Sequence, residues 1–386
     1  MLPCQEDATL LRLETRVSEC MPTGDGQYSV VLETTPFYPE GGGQPADHGT
    51  IGPARVLDVQ HHDGTVIHTV DAPVSGAVVA MVDGDRRLDH MQQHTAQHLL
   101  TACLQDGFGA ATVGFHLGES TTTIDLDREL TPAAVVAAVD QANALIREAR
   151  PVRTEVVSLK SYATRDVRSR GLPAGFTGDV RLVGIEGVDL NTCGGTHVPT
   201  TAALQVITVI KTERYKSGLR LHFLAGERAR RAHVAATARE HALSAALTAG
   251  TEEHVAAVEK LLEQVKAGAK ARRGLLQELA GFLGASLAGS TEAAVHLHRP
   301  EAEPAMLKAI ADAALEIRPD LLILLTGGDA DGAGVFLVAG PVEHVSRVGP
   351  AIAAALHGRG GGRSGRYQGK AQALREVAAA VALLQA

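Results

Sequence analysis

The sequence predicts an α+β multidomain protein: an N-terminal small β-barrel, an α+β core, a helical hairpin and a C-terminal α/β domain. Three observations carry this reading. Short alternating apolar runs, split by Gly, Pro and Asp clusters, fill residues 1–86. Helical periodicity then mixes with strand-like runs over 87–224. Two long Ala/Leu-rich segments over 225–284 lead into alternating strand and helix patterns over 285–386.

In the first segment, residues 28–32, 54–59, 66–70 and 77–82 read as strands, and a small barrel buries such strands without open edges. The stretch FYPEGGGQPADHG interrupts them with Gly41, Gly42 and Gly43, which permit positive φ or close backbone approach to a partner. In the second, 88–104 and 132–149 read as helices, the latter with Pro132 in its first turn. Strands are expected at 155–159, 180–185, 204–210 and 219–224. Helices at 225–247 and 252–280, joined at 248–251, suggest an antiparallel pair suited to a spacer or a dimer interface. The last segment reads as strand 294–298, helix 305–317, strands 321–325 and 334–338, helix 342–356, a loop HGRGGGRSGRYQGKA and a final helix. There is no internal repeat.

With 386 residues, 45% of them hydrophobic, the chain can build two or three ordinary cores. No apolar run reaches the length of a membrane span, and the acidic start MLPCQEDATLLRLE does not read as a secretory signal. The expectation is a soluble, cytoplasmic protein with no membrane partner. Cys4, Cys20, Cys103 and Cys193 are too few and too scattered for a disulfide framework; Cys4, Cys20 and Cys103 read as core filler. The net charge of −8 is not that of a nucleic-acid binder overall, but phosphate needs only a local patch. Seven Arg/Lys stand against three acids over 147–170, seven against two over 211–231, and four against none over 359–370.

His94 and His98 in DHMQQHTAQHLL are about one helical turn apart, so both imidazoles leave the same face and can share one ion. Cys193 and His197 repeat that spacing in NTCGGTHV, where two glycines argue for a tight loop. Three imidazoles and a thiolate form a nitrogen/sulfur set suited to tetrahedral Zn²⁺. His90, next to Asp89, reads as a capping or surface residue; His61, His62 and His68, near a turn, read as surface; His116 is a candidate to line a pocket.

HTAQHLL followed by CGGTHV resembles the paired zinc motifs of the alanyl-tRNA synthetase editing domain, which is related to that of threonyl-tRNA synthetases. FYPEGGGQPADHGTIG looks like the glycine motif of the barrel joined to that core. VRSRGLPAGFTGDVRLVGIEGVDLNTCGGTHV and LRLHFLAGERA resemble the free-standing homologues called AlaX. GRGGGRSGRYQGKA resembles the glycine-rich end of the DHHA1 domain found in the long AlaX form. The resemblance covers nearly the whole chain, closely over 25–230 and more loosely over 285–386. It implies a zinc-containing editing core and a DHHA1-like tRNA-binding domain. It makes His94, His98, Cys193 and His197 the metal ligands and catalytic centre. It also implies hydrolysis in trans of tRNA(Ala) mischarged with serine, with glycine as a second substrate. The aminoacylation domain that precedes the barrel in the synthetase is not in this sequence, so no ATP-dependent ligation is expected.

In the family a polar side chain near FGAATVGFHLGE senses serine's hydroxyl. Here that position falls on or beside Gly114, which has no side chain, and Thr112, His116, Thr122 and Thr123 are the alternatives. Gly194, Gly195 and Thr196 are assigned to substrate binding. Gly41, Gly42 and Gly43, together with Arg359, Arg363, Arg366 and Lys370, are assigned to tRNA. The hairpin and last domain are candidate surfaces for a homodimer. Two rival readings are editing of another tRNA, such as Ser-tRNA(Thr), and a non-catalytic zinc-stabilised tRNA-binding protein.

Overall fold

The structure, a computed structural model, describes residues 1–169, 171–172 and 175–385. Arg170 of the first basic run, and Pro173 and Ala174 of the GLPAG stretch, lie outside the described residues. The chain forms two compact units, Met1–His241 and Ala242–Ala386.

The first unit opens with a short helix, α1 (Pro3–Glu6), and a closed antiparallel barrel of β1 (Arg12–Gly24), β2 (Gln27–Leu32), β3 (Gly49–Ile51), β4 (Ala54–His62), β5 (Thr65–Val70) and β6 (Ala77–Val82). The barrel order is β1-β2-β5-β4-β3-β6. Val30, Val56, Val59, Val70 and Ala80 fill its interior. The long helix α2 (Gly84–Phe108) follows, then β7 (Thr112–Leu117), β8 (Thr122–Leu126), α3 (Pro132–Arg147), β9 (Val152–Val157), α4 (Leu159–Tyr162), β10 (Val180–Ile185), β11 (Asp189–Thr192), β12 (Ile207–Tyr215), β13 (Gly218–Ala225) and α5 (Gly226–Leu247). These strands make two sheets, ordered β11-β10-β9 and β12-β13-β8-β7. Leu99, Leu100 and Cys103 of α2 pack with Ala138 and Ala142 of α3 and with Leu221 and Phe223 of β13.

Helix α2 starts four residues earlier than its periodicity predicts. Asp83 caps it, accepting from the backbone N–H groups of Asp85 and Arg86 at 3.1 Å. Asp89 is thereby placed inside the helix, where it pairs with Arg228. His90 is neither cap nor surface: it is buried, with Nδ1 unpartnered. His68 also corrects a surface reading. It lies inside the barrel, where Nδ1 donates to the Val30 carbonyl at 2.9 Å and Nε2 accepts from Thr35 Oγ1 at 2.8 Å. The expected strand at 204–210 begins at Ile207, because Thr201–Leu204 forms a 3-10 turn capped by Thr200.

In the second unit, α6 (His254–Ala288) is followed by β14 (Ala294–His298), α7 (Pro304–Ile317), β15 (Leu322–Gly328), β16 (Gly334–Ala339), α8 (Val342–Ala355), β17 (Arg359–Arg363), β18 (Arg366–Ala371) and α9 (Val377–Gln385). The sheet runs β14-β15-β16-β18-β17, with β14 and β15 parallel and the other pairs antiparallel. Side chains alternate along β15: Ile323 and Leu325 face α6 and α7, while Leu322 and Leu324 face α8 and α9. Burial on both faces explains the uninterrupted apolar run at this strand. The segment expected as a loop is a β-hairpin, with Arg359 opposite Lys370 and Arg363 opposite Arg366.

Burial holds the His68 ring neutral, its pKa pushed down to about 4. The unfolded chain therefore takes up this proton first as pH falls below about 6.5, and the barrel loses stability until the folded pKa is passed. The expected loss is about 3 kcal/mol over that window. Denaturant unfolding of wild type and His68→Gln at pH 7.5 and 4.5 checks this: the variant should show the smaller loss on acidification, and equal losses would remove His68 from the account.

Candidate metal centre and its cleft

The four residues picked out by spacing come together. One side-chain ligand atom from each of His94, His98, Cys193 and His197 lies within 4.8 Å of the other three. Cys193 Sγ is 3.4 Å from His94 Nε2 and 3.3 Å from His197 Nε2. The two histidines of α2 project from one helical face, and the tight CGGTH loop after β11 brings the other two ligands over it.

The opposite edge of each imidazole is engaged. His94 Nδ1 meets Gln44 Oε1 at 2.9 Å, His98 Nδ1 meets Asp189 Oδ2 at 3.1 Å, and His197 Nδ1 meets Thr95 Oγ1 at 3.0 Å. Such contacts fix tautomer and ring orientation and leave Nε2 to bind a cation. Burial alone would raise the Cys193 pKa, but the imidazoles of His94 and His197 pull it well below the ordinary thiol value. Burial keeps the His197 ring neutral, its pKa lowered to about 3. For His98, burial disfavours charge, but the bonds to Asp189 and the Cys193 sulfur overcome it and push the pKa up to about 9. A proton and a cation compete for the ring nitrogen of His98. The donor set and its orienting partners fit a tetrahedral Zn²⁺ site, whose binding would displace the His98 proton.

Loop geometry makes this packing feasible. A Cβ on Gly195 would sit 2.3 Å from the His94 ring, so the backbone itself forms the wall there. Gly42 and Gly43, at φ 59° and 84°, form the centre of a two-residue turn closed by Gly41 and Gln44. That turn carries Gln44 to the metal centre, where its Oε1 also accepts from the Thr196 N–H at 3.1 Å and its Nε2 donates to Thr196 Oγ1 at 2.9 Å. Arg181 and Gln5 brace the other side: Arg181 donates to the Cys193 carbonyl at 2.5 Å and to the Gln5 carbonyl at 3.0 Å, and Gln5 Nε2 donates to the Gly194 carbonyl at 2.9 Å.

Three of the four candidate ligands, His94, His98 and Cys193, line a cleft of about 1160 Å³. Of the candidates for sensing a substrate hydroxyl, Thr112 lines it; Gly114, His116, Thr122 and Thr123 do not. Gly114 lies against Asp125, His116 is exposed, and Thr122 is buried with Oγ1 unpartnered. Gly194 and Gly195 line the cleft, as do Gly42 and Gly43; Thr196 is buried behind it, holding Gln44. The sequence reading missed Gln44, Thr95, Asp189 and Arg181. It also missed Phe115, which stacks on His94 at 5.2 Å between ring centroids.

The C-terminal residues assigned to tRNA share one face of the β17–β18 hairpin, since opposed residues and alternate residues of a strand point the same way. Arg359, Arg363 and Lys370 have no acidic partner among the described residues, and Arg366 pairs with Asp312 at 2.8 Å. The other two basic runs are largely neutralised. Over 211–231, every Arg and Lys except Lys216 pairs with a carboxylate. Over 147–170, Arg150, Arg153, Arg165 and Arg168 do so.

Comparison with known proteins agrees with this architecture. Residues 4–86 match the family described as tRNA synthetases class II (A), and residues 180–221 match the threonyl and alanyl tRNA synthetase second additional domain. The second match holds Cys193 and His197, whereas His94 and His98 lie outside both. Barrel and ligand loop thus define an AlaX-like class, built on accessory modules of class II tRNA synthetases. Alanyl-tRNA editing protein Aarsd1 of Mus musculus is 41% identical, covering 99% of this chain and 97% of that protein. Alanyl-tRNA editing protein AlaX-M of Methanosarcina barkeri is 35% identical over 50% of this chain and 87% of its own. An alanine–tRNA ligase of Halorubrum lacusprofundi is 33% identical over 81% of this chain but only 35% of its own. The chain belongs to the alanyl-tRNA editing protein family.

If the Nδ1 contacts orient the rings, Gln44→Ala should weaken Zn²⁺ binding roughly ten- to hundredfold. Gly195→Ala should weaken it as well by displacing His94. Competition with a chromophoric chelator measures both; wild-type affinity in Gln44→Ala would show that the contact orients nothing.

Proposed function

We propose that this chain hydrolyses, in trans, the ester of tRNA(Ala) mischarged with serine, and also with glycine, at a Zn²⁺ held by His94, His98, Cys193 and His197. Its coarser part, that the protein is a hydrolase of misacylated tRNA, follows from membership of the editing family. The observation that carries the finer part is the convergence of four potential ligand atoms, three of them on residues that line the cleft. Bound there, and expanding to a fifth position for substrate, Zn²⁺ would supply a Lewis acid for the ester carbonyl or an anchor for the amino acid. The chain's own contribution is orientation: Gln44, Thr95 and Asp189 hold the ligand rings, while Gly42, Gly43, Gly194 and Gly195 let backbone lie close to the substrate's end.

Selectivity has a physical basis. A pocket sized for alanine rejects glycine by only about 1–3 kcal/mol and does not strongly exclude serine, so synthesis alone leaves errors. A second pocket that hydrogen-bonds serine's hydroxyl can discriminate against alanine by roughly 10⁴-fold, because alanine leaves a buried polar group unpaired. The body of the tRNA is assigned to the C-terminal unit, read as DHHA1-like, through Arg359, Arg363, Arg366 and Lys370. The chief support is that three of these four cations are uncommitted. We also assign the protein to the cytoplasm, which suits its four free cysteines. A homodimer through α6 and the C-terminal domain is supported by Val255, Leu262, Val265 and Phe282, all exposed along that helix.

Release of amino acid from Ser-tRNA(Ala), Gly-tRNA(Ala), Ala-tRNA(Ala) and Ser-tRNA(Thr) by the purified protein tests the reading. Loss of serine and glycine from tRNA(Ala), sparing of alanine, and arrest on removal of zinc are expected. Equal release from Ser-tRNA(Thr) would reassign the tRNA, and release from none would leave only a binding protein. Affinity for tRNA(Ala) should fall steeply with salt. Reversing Arg359 and Arg363 to Glu should reduce the slope of log affinity against log salt by about 0.7–0.9 for each phosphate no longer neutralised, and an unchanged slope would clear the hairpin of this role.

A further inference from the structure

Of the six α2 residues that line the cleft, five, His94, Gln97, His98, Thr101 and Gln105, form one stripe at the spacing of a single helical face, with Asp106 beside its end. Gln97 and Thr101 are not ligands. Both line the cleft although only 8% and 5% exposed. Gln97 Nε2 donates to Thr101 Oγ1 at 2.9 Å, and Thr101 Oγ1 shares a second hydrogen bond with Thr112 Oγ1 at 2.8 Å. With Nε2 engaged by Thr101, Oε1 is the end of the Gln97 amide left over. Its Oε1 accepts from no described residue and is not sealed off inside the protein, so the open acceptor faces the cleft.

We propose that Gln97, oriented by Thr101, reads the substrate's hydroxyl: serine Oγ–H donates to Gln97 Oε1. This rests on the reading of the cleft as the site of Ser-tRNA(Ala) hydrolysis, and it names the group that gives that site its selectivity. Gln97 lies one turn after His94 and immediately before His98. An aminoacyl group held at the metal centre therefore has this amide beside it. Serine satisfies the acceptor. Alanine covers Oε1 without offering a donor, and a buried acceptor left unpaired is the costly arrangement. Thr112, the sequence candidate that does line the cleft, enters at the far end of the same chain of bonds. Thr101 is then a positioning residue, and Gln97 the one that touches substrate.

The test compares kcat/KM for Ser-tRNA(Ala) and Ala-tRNA(Ala) in the zinc-loaded full chain, with zinc content per chain measured alongside. Gln97→Leu should lower the serine-to-alanine ratio at least tenfold at unchanged zinc content. Thr101→Val should lower it severalfold, and Thr101→Ser should restore it. General damage to the site moves both rates together, so a wild-type ratio in Gln97→Leu overturns the assignment. Should Gln97→Leu not fold, the Thr101 pair decides alone: a wild-type ratio in Thr101→Val overturns it equally. A wild-type protein that releases no serine at all fails the deacylase reading itself, an outcome distinct from either.

Discussion

One constraint organises the first unit: α2 is buried along most of its length, yet much of what it buries is polar. A buried donor or acceptor without a partner costs about 1–3 kcal/mol, so most are met by other parts of the chain, His90 Nδ1 being the exception on this helix among the described residues. Arg87 is met by Asp47 and by the carbonyls of Ala8 and Pro36. Gln92 donates to the Ala203 carbonyl, and Gln93 both donates to and accepts from the backbone of Ala225. His94, Thr95 and His98 find Gln44, His197 and Asp189. These partners come from the glycine turn of the barrel, the 3-10 turn before β12, the end of β13 and the ligand loop. Satisfying one helix thus gathers the parts of the candidate metal centre, and four potential ligands remote in sequence come together with it.

The Arg87–Asp47 pair shows what such burial achieves. The two side chains are 1% and 0% exposed. A pair this deep adds little net stability over an apolar pair of similar volume, because both charges are stripped of water. Breaking it by removing one partner costs about 3–5 kcal/mol, since the survivor is left charged and alone. The pair therefore acts against wrong arrangements more than for the right one. Any rotation of α2 about its axis that left Arg87 unpaired would carry that penalty, and the same rotation would turn His94 and His98 away from Cys193. The metal centre's register is held from a distance.

The four ligands are legible in the sequence because each pair is local: helix periodicity fixes one, a short glycine loop the other. What orients them is not. Gln44, Thr95 and Asp189 are ordinary polar residues that meet the rings only through contacts 50 to 102 residues away in sequence. The available signal is that α2 carries polar residues on every side, which a surface helix with one apolar stripe does not do. His68 and His90 mislead for the same reason, since burial is decided by chain that neighbouring residues do not reveal. Composition alone makes the glycine-rich C-terminal stretch look like a loop. In the hairpin its glycines serve close backbone approach: a Cβ on Gly362 would lie 1.8 Å from the Arg366 carbonyl oxygen. Tyr367, between the cations in sequence, points to the other face and packs against Gly349 and Phe336.

Counting cations in a sequence overstates how many are available to a phosphate. An arginine already bonded to a carboxylate must give up that bond, or share it, before it can serve a second anion, and the exchange returns little net energy. By that measure the runs over 147–170 and 211–231, which look the more basic by count, offer few free charges. They knit the first unit together instead: Arg228 ties α5 to Asp89 of α2, Arg220 ties β13 to Asp125 of β8, and Arg168 links Asp106 to the Asp189 that orients His98. The hairpin differs in kind. Its cations stand on one face of an edge strand and its neighbour, with Gly361 and Gln368 between them and no acid in the run. A net charge of −8 does not by itself bar a polyanion from this face, because screening confines the repulsion of distant carboxylates to about a Debye length, while Arg359, Arg363 and Lys370 pair with no acid among the described residues.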